Sequence, residues 1–256
     1  MSAACRRYFW LWLVAALTTA PVPSQIAAAP ASDQAAAALR QFLAGARPVR
    51  QYRASRRLEA AGSGRGAWLD VQTEFSQSTG LQYHVTAEGG SGYIRSRVLR
   101  SLLEEEQRLV GRNGGSAVAL TPDNYQFMPE AINEEGVAVV RIQPRRKDRS
   151  LVDGQMFLTR DGELLRVEGR LAKSPSFWVT RTNVVRVFRR INGVLMPVSV
   201  ETTAQLRLLG SSTLRMTYRY SHVDDREVED DGLLLDPMHL TDFGRRSGEP
   251  SLYHFE

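Results

Sequence analysis

Val198-Ser-Val-Glu-Thr-Thr-Ala-Gln-Leu-Arg-Leu208 and Leu214-Arg-Met-Thr-Tyr-Arg-Tyr220 decide the fold. In the first, Val198, Val200, Thr202, Ala204, Leu206 and Leu208 share one parity, against Ser199, Glu201, Thr203, Gln205 and Arg207. In the second, Leu214, Met216, Tyr218 and Tyr220 oppose Arg215, Thr217 and Arg219. A period of two with one apolar and one polar side requires strands buried on one face only, as in an antiparallel sheet.

The same pattern extends upstream. Leu69, Val71, Thr73 and Phe75 alternate with Asp70, Gln72 and Glu74, and Leu81, Tyr83, Val85 and Ala87 with Gln82, His84 and Thr86. Gly62-Ser-Gly64 and Ser78-Thr-Gly80 supply turns. Ala138, Val140 and Ile142 alternate up to Pro144, and Phe177 to Phe188 reads as another strand. Met156-Phe-Leu158 and the Leu165, Val167, Gly169, Leu171 series flank Arg160-Asp161-Gly162, a hairpin signal. About nine to eleven strands in one sheet predict strong curvature, because flat sheets of that width are unusual. The expected class is mostly β (α+β), an unclosed antiparallel half-barrel with helices on its concave face.

Two segments break the period. Residues 33–46 are alanine-rich, with Ser32 or Asp33 as cap and Leu39, Phe42 and Leu43 as an apolar stripe, and read as a helix. Residues 93–110 place Ile94, Val98, Leu99, Leu102, Leu103, Leu109 and Val110 at spacings of three to five, one face of an inserted helix. Its arginines crowd the first half and Glu104, Glu105 and Glu106 the second, the reverse of what the helix dipole prefers. Nothing local offsets that cost.

At the N-terminus, Arg6 and Arg7 precede the apolar run Tyr8–Leu17, followed by Pro21, Pro23 and the small-residue site Ala29-Pro30-Ala31. This reads as a signal peptide over 1–31, cleaved near Ala31, and places the protein in the periplasm. Arg6-Arg7-Tyr8-Phe9 also fits a twin-arginine signal, but the very apolar core favours general secretion. The single cysteine, Cys5, leaves with the leader, so neither disulfides nor thiolate chemistry is expected in the mature chain. The expected organisation is one half-barrel domain over 32–223 and a polar C-terminal segment over 224–256, with Leu233–Leu235 and Tyr253–Phe255 packing back.

Composition and motifs exclude several classes. With 43% hydrophobic and 24% charged residues the chain is globular, neither disordered nor a multi-span membrane protein. A net charge of +5, nearly all arginine and spread evenly, does not mark a nucleic-acid binder. His84, His222, His239 and His254 stand at no ligand spacing. His222 falls on the buried parity of its strand and reads as a core histidine. The sequence holds no H-E-x-x-H, phosphate loop or G-x-S-x-G, and Gly89–Gly92 and Gly62–Gly66 read as turns. Asp224, Asp225, Glu229, Asp230 and Asp231 match no calcium loop and read as a solvated acidic turn. Neither catalysis nor a metal or cofactor is expected, and membrane contact is peripheral at most.

Three segments resemble the periplasmic lipoprotein-carrier superfamily of the LolA, LolB and RseB type, including the outer-membrane lipoprotein-sorting proteins. They are Val139-Val-Arg-Ile-Gln-Pro144, Gln155-Met-Phe-Leu-Thr-Arg-Asp-Gly-Glu-Leu-Leu-Arg-Val167 and Arg190-Ile-Asn-Gly-Val-Leu-Met-Pro-Val-Ser-Val200. The resemblance covers residues 120–223. It implies an open barrel lidded by helices around an apolar cavity for acyl chains, with 94–110 as the lid. The single long charged helix and the tail after Val223 depart from that pattern.

The ligand-lining expectation is therefore Leu69, Val71, Phe75, Tyr83, Val140, Ile142, Val198, Val200, Leu206, Met216 and Tyr218, with Ile94, Val98 and Leu102 as lid. The ligand would be a lipid or lipoprotein acyl chain. Arg215 and Arg219 either meet anionic headgroups or form a solvated strand face. The alternative is an envelope protein-interaction or sensing module with a filled core; a cavity volume separates the two, and a packed sheet–helix interface would overturn the carrier reading.

Overall fold

A computed structural model of the chain describes residues 31–45, 47–113, 119–174, 179–206 and 210–229. Helix α1 (Ala31–Ala44) leads into three strands, β1 (Gln51–Gly62), β2 (Arg65–Ser76) and β3 (Gly80–Gly90). A helical stretch follows, built of Gly92–Ile94, a π-helical part Arg95–Arg100, and Ser101–Asn113; together these form α2. The remaining strands are β4 (Tyr125–Ile132), β5 (Ala138–Pro144), β6 (Val152–Leu158), β7 (Leu164–Leu171), β8 (Val179–Ile191), β9 (Val194–Leu206), β10 (Gly210–Val223) and the short β11 (Arg226–Glu227).

All form one antiparallel sheet in the order β3-β2-β1-β10-β9-β8-β7-β6-β5-β4, with β11 on β10. The strands β3 and β4 are the two edges, so the sheet is open. Every successive strand pair is a hairpin neighbour except β3 and β4, which lie at opposite edges. The chain must cross between them, and α2 lies on that crossover. This connection brings an amphipathic helix onto the sheet's apolar side.

The core has two principal parts. Beneath α1, Ala35, Ala38, Leu39 and Phe42 meet Tyr125, Ala138, Val140, Ile142, Leu151, Met156 and Leu158. The small Ala35 and Ala38 let α1 approach closely. Gly162, in the turn between β6 and β7, abuts this helix with φ +73°; a Cβ there would stand 2.7 Å from the Ala38 carbonyl oxygen. Beneath α2, Leu99 and Leu103 meet Leu58, Ala60, Ala67, Leu69, Val71 and Met216. A third, smaller cluster gathers Ala54, Val194, Met196, Tyr220 and Val223.

Several expectations shift at bulges and ends. The helix expected over 33–46 begins at Ala31, and the one expected over 93–110 runs from 92 to 113. On β10, Ser221 is bulged out where Arg53 pairs His222 and Ala54 pairs Tyr220. Val223 therefore takes the buried position and His222 moves to a half-exposed one. On β7 the register shift opposite Phe157 and Leu158 buries Leu164 and exposes Leu165. The leader, Leu208 and the tail from Asp230, with its apolar segments, lie outside the described residues.

The acidic turn after β10 is tied to the chain ahead of β1. Asp224, only 6% exposed, accepts from Arg47 Nη2 and from the Arg50 backbone N–H, both at 2.9 Å. Burial alone would raise its pKa. Hydrogen bonds from the Arg50 and Gln51 backbone, with the charges of Arg47 and Arg50, outweigh burial and hold it below the ordinary carboxylate range. Its contribution to stability is therefore present above the unfolded-state pKa and lost as pH falls through the folded one. Asp224→Asn keeps a residue tolerant of the φ of +53° found here. It is expected to lower stability by about 1–3 kcal/mol at neutral pH. Urea titrations from neutral pH to about pH 2 should show the wild type losing this increment while the variant does not.

Candidate functional site

The sheet register sets out the concave face in rows. One row runs Leu69, Leu58, Met216, Val200, Arg186, Val167, Met156, Val140, each paired with the next on the neighbouring strand. The next holds Val85, Val71, Arg56 and Tyr218. Ile142 belongs to a row with Gly154, Gly169, Val184, Thr202 and Leu214.

The expected lining residues thus share one face, but the helices divide them. Leu69, Val71 and Met216 are buried under α2, with Tyr83, Val200 and Tyr218 at the margin. Val140 and Ile142 lie under α1, and Val200 touches both clusters. Phe75 is buried against Tyr52, their rings stacked 5.4 Å apart. Val198 is half-buried beside the register shift between β8 and β9. Leu206 ends β9, and its side chain lies outside the described residues.

Of the expected lid residues, Ile94 and Leu102 pack at the edge of the α2 cluster, but Val98 is 41% exposed. The π-helical part is the reason. It spaces inward positions more widely than an α-helix, so Ile94 is followed inward by Leu99 and Leu103 while Val98 turns out.

A charged centre lies under α2. Arg56 on β1 is 2% exposed and stands between Ala54 and Leu58 on the apolar parity. Its Nη2 donates to Glu106 Oε2 at 2.7 Å, to Tyr218 Oη at 3.2 Å and to Met216 Sδ at 3.0 Å. The guanidinium carbon sits 4.6 Å from the Tyr218 ring centroid, a cation–π contact. Nε and Nη1 are buried with no partner. Burial works against the charge on Arg56, but Tyr218 and Glu106 outweigh it, so the guanidinium stays protonated. Burial pushes the phenols of Tyr52, Tyr218 and Tyr220 up, so all three stay neutral hydroxyls.

These contacts explain the inverted charge order of α2. Glu88 on β3 receives Arg95 and Arg100 from the helix's first half, and Arg56 receives Glu106 from its second. Gln107 also donates to the Leu81 carbonyl oxygen at 2.8 Å. The inverted order thus sets each of these charges opposite a partner from the sheet. On the outer face, Arg215 pairs with Glu201 at 3.4 Å.

Neither of two pockets among the described residues is lined by Arg56, Glu106, Leu99, Leu103, Leu69, Val71 or Met216. A pocket of about 420 Å³ lies at the β2–β3 turn and Val110, lined by Phe75, Ser76, Gln77 and Thr79. A second, of about 530 Å³, is an open groove along β5 to β8 with Arg141, Gln155, Glu168 and Arg170. Among the described residues no helix is long and apolar enough to cross a membrane.

No protein-family model matches the sequence, and a search of curated proteins finds no match. Solved structures with some likeness include a DUF1329 family protein from Desulfovibrio piger, 10% identical, with a TM-score of 0.36 over 74% of this chain and 91% of that one. A LolA superfamily protein from Nitrosomonas europaea is 10% identical, with a TM-score of 0.37 over 77% and 95%. MucB of Pseudomonas aeruginosa, in its complex with MucA, gives 10% identity and a TM-score of 0.21 over 73% and 94%. The second carries the superfamily name that the sequence resembles. Superpositions this loose carry no weight for ligand or partner.

The sequence reading passed over Arg56, Glu106 and Tyr52. The parity of Tyr52, Ala54, Arg56, Leu58 and Ala60 was the signal for the first; its partner, fifty positions on, had none. Because removing one member of a buried pair strands the other, Glu106→Leu is expected to destabilise by about 3–5 kcal/mol. Arg56→Met leaves only a carboxylate that water can reach, since Glu106 is 30% exposed. Its cost should be clearly smaller, by denaturant titration of both variants.

Proposed function

We propose that this is a non-enzymatic periplasmic binding protein that holds an acyl chain of a lipid or lipoprotein on the concave face, with α2 as a lid that lifts. The observation that carries the reading is Arg56. A helix serving only to fill a core gains nothing from a buried guanidinium with two unpartnered donors; apolar packing of the same volume is commonly as stable or more so. Such a group is expected where a face must be uncovered and used.

The remaining ties of α2 also suit a lid. The side chains of its pairs with Glu88 are 26–37% exposed, and such pairs are worth little. A π-helical segment marks a place where a helix is locally strained, often at a functional hinge. Closed, Leu99 and Leu103 occupy this face, which goes against a carrier with a standing cavity; the chain would enter only as they withdraw from Leu69, Val71 and Met216.

That close packing favours the second reading, an envelope protein-interaction or sensing module. On it, Tyr93 (72% exposed) and Val98 on the outer side of α2 would be the contact for a partner.

Native mass spectrometry of residues 32–256 purified from a bacterial periplasm, with lipid extraction, separates the two. A co-purifying acyl species is expected. A ligand-free mass, unchanged on adding fatty acids or lipopeptides, would leave the interaction module.

A further inference from the structure

The ligand's chemistry can be narrowed, given the reading of the concave face as an apolar-chain site. We infer that Arg56 is the receptor for the carboxylate of a single-chain anionic amphiphile, a long-chain fatty acid being the simplest, and that Glu106 occupies that position when no ligand is present. The pairing in the closed state is incomplete. Glu106 reaches Nη2 alone, and Nη2 also carries Tyr218 and Met216, while Nε and Nη1 have no partner. Nη2 belongs to both edges of the guanidinium fork, so a carboxylate seated squarely on either edge makes two parallel bonds and satisfies a donor that Glu106 leaves bare.

Exposure gives the direction of exchange. The Arg56 side chain is wholly buried and cannot follow a departing partner, whereas the Glu106 carboxylate already touches solvent and belongs to α2. When α2 lifts, Glu106 leaves into water and Arg56 would remain as an unpaired charge on an apolar face. An amphiphile answers both needs at once. Its headgroup replaces Glu106, and its chain lies along Leu58, Leu69, Val71 and Met216, the residues that Leu99 and Leu103 vacate. Arg186, half-buried in the same face and close enough to influence Tyr218 electrostatically, adds positive potential. A neutral head would leave Arg56 uncompensated.

The test compares myristic acid with the alcohol of equal chain length on the delipidated protein at neutral pH, by titration calorimetry. The acid is expected to bind about tenfold or more tightly than the alcohol, as a charge-assisted fork pair requires. Arg56→Met should abolish that preference while keeping alcohol binding. Glu106→Gln, which retains an acceptor for Arg56 but weakens the pair that must break when α2 lifts, should tighten acid and alcohol alike and keep the preference for the acid. Equal binding of acid and alcohol by the wild type, or an Arg56→Met protein that still prefers the acid, overturns the assignment to Arg56 while leaving an apolar site in place. Binding of neither probe overturns the apolar-chain reading along with it.

Discussion

An open antiparallel sheet of this width presents one continuous apolar face, and water must be kept from it across strands that never close on themselves. In this chain two helices divide the task. The first arrives from the N-terminal side and settles on β4 to β6; the second lies on the crossover that carries the chain between the two edges and settles on β1 to β3. Between these halves the inner residues Val198, Val200 and Thr202 of β9 and Arg186 of β8 are only half-buried, while Val184 on β8 is buried. The topology therefore dictates both the need for a cover and the element that supplies half of it.

The two covers differ in kind. Helix α1 is fixed by alanines, Leu39 and Phe42 against a wholly apolar cluster, with Gly162 shaped to receive it. Under α2 the apolar contact is interrupted by Arg56, whose charge is held by one carboxylate of the helix itself. Coulombic attraction in a buried site is strong, but so is the desolvation it must offset, and the net worth of such a pair is small. The helix that owns the carboxylate can leave with it, which on the proposed reading makes α2 the mobile cover and α1 the fixed one.

Most of the fold was legible because alternation survives without knowledge of partners: Leu69 and Val71, Val140 and Ile142, Val198 and Val200, Met216 and Tyr218 each announce a face. What failed did so where backbone irregularity resets the phase. The bulge at Ser221 exchanged His222 for Val223, and the π-helical part of α2 turned Val98 out of the face it was expected to share with Leu99. A sequence carries the composition of a helix face but not the one-residue offset that a wider turn introduces. The candidate site was half legible. Its apolar wall was read from the strands, while Arg56 was lost among Arg53 and Arg57, which face water on the same strand. The inverted charges on α2 have no local explanation, because their partners, Glu88 and Arg56, come from strands that only the tertiary fold brings near.

The central claim is that α2 opens as a unit while the sheet and α1 stay closed. Native-state amide hydrogen exchange reads this directly, since a segment that opens locally exchanges at a free energy below that of global unfolding. The account predicts that the amides of 92–113 exchange together through such a sub-global opening, with β1, β2 and α1 protected to the global limit. Exchange of α2 only at that limit, in step with α1 and the central strands, would contradict it.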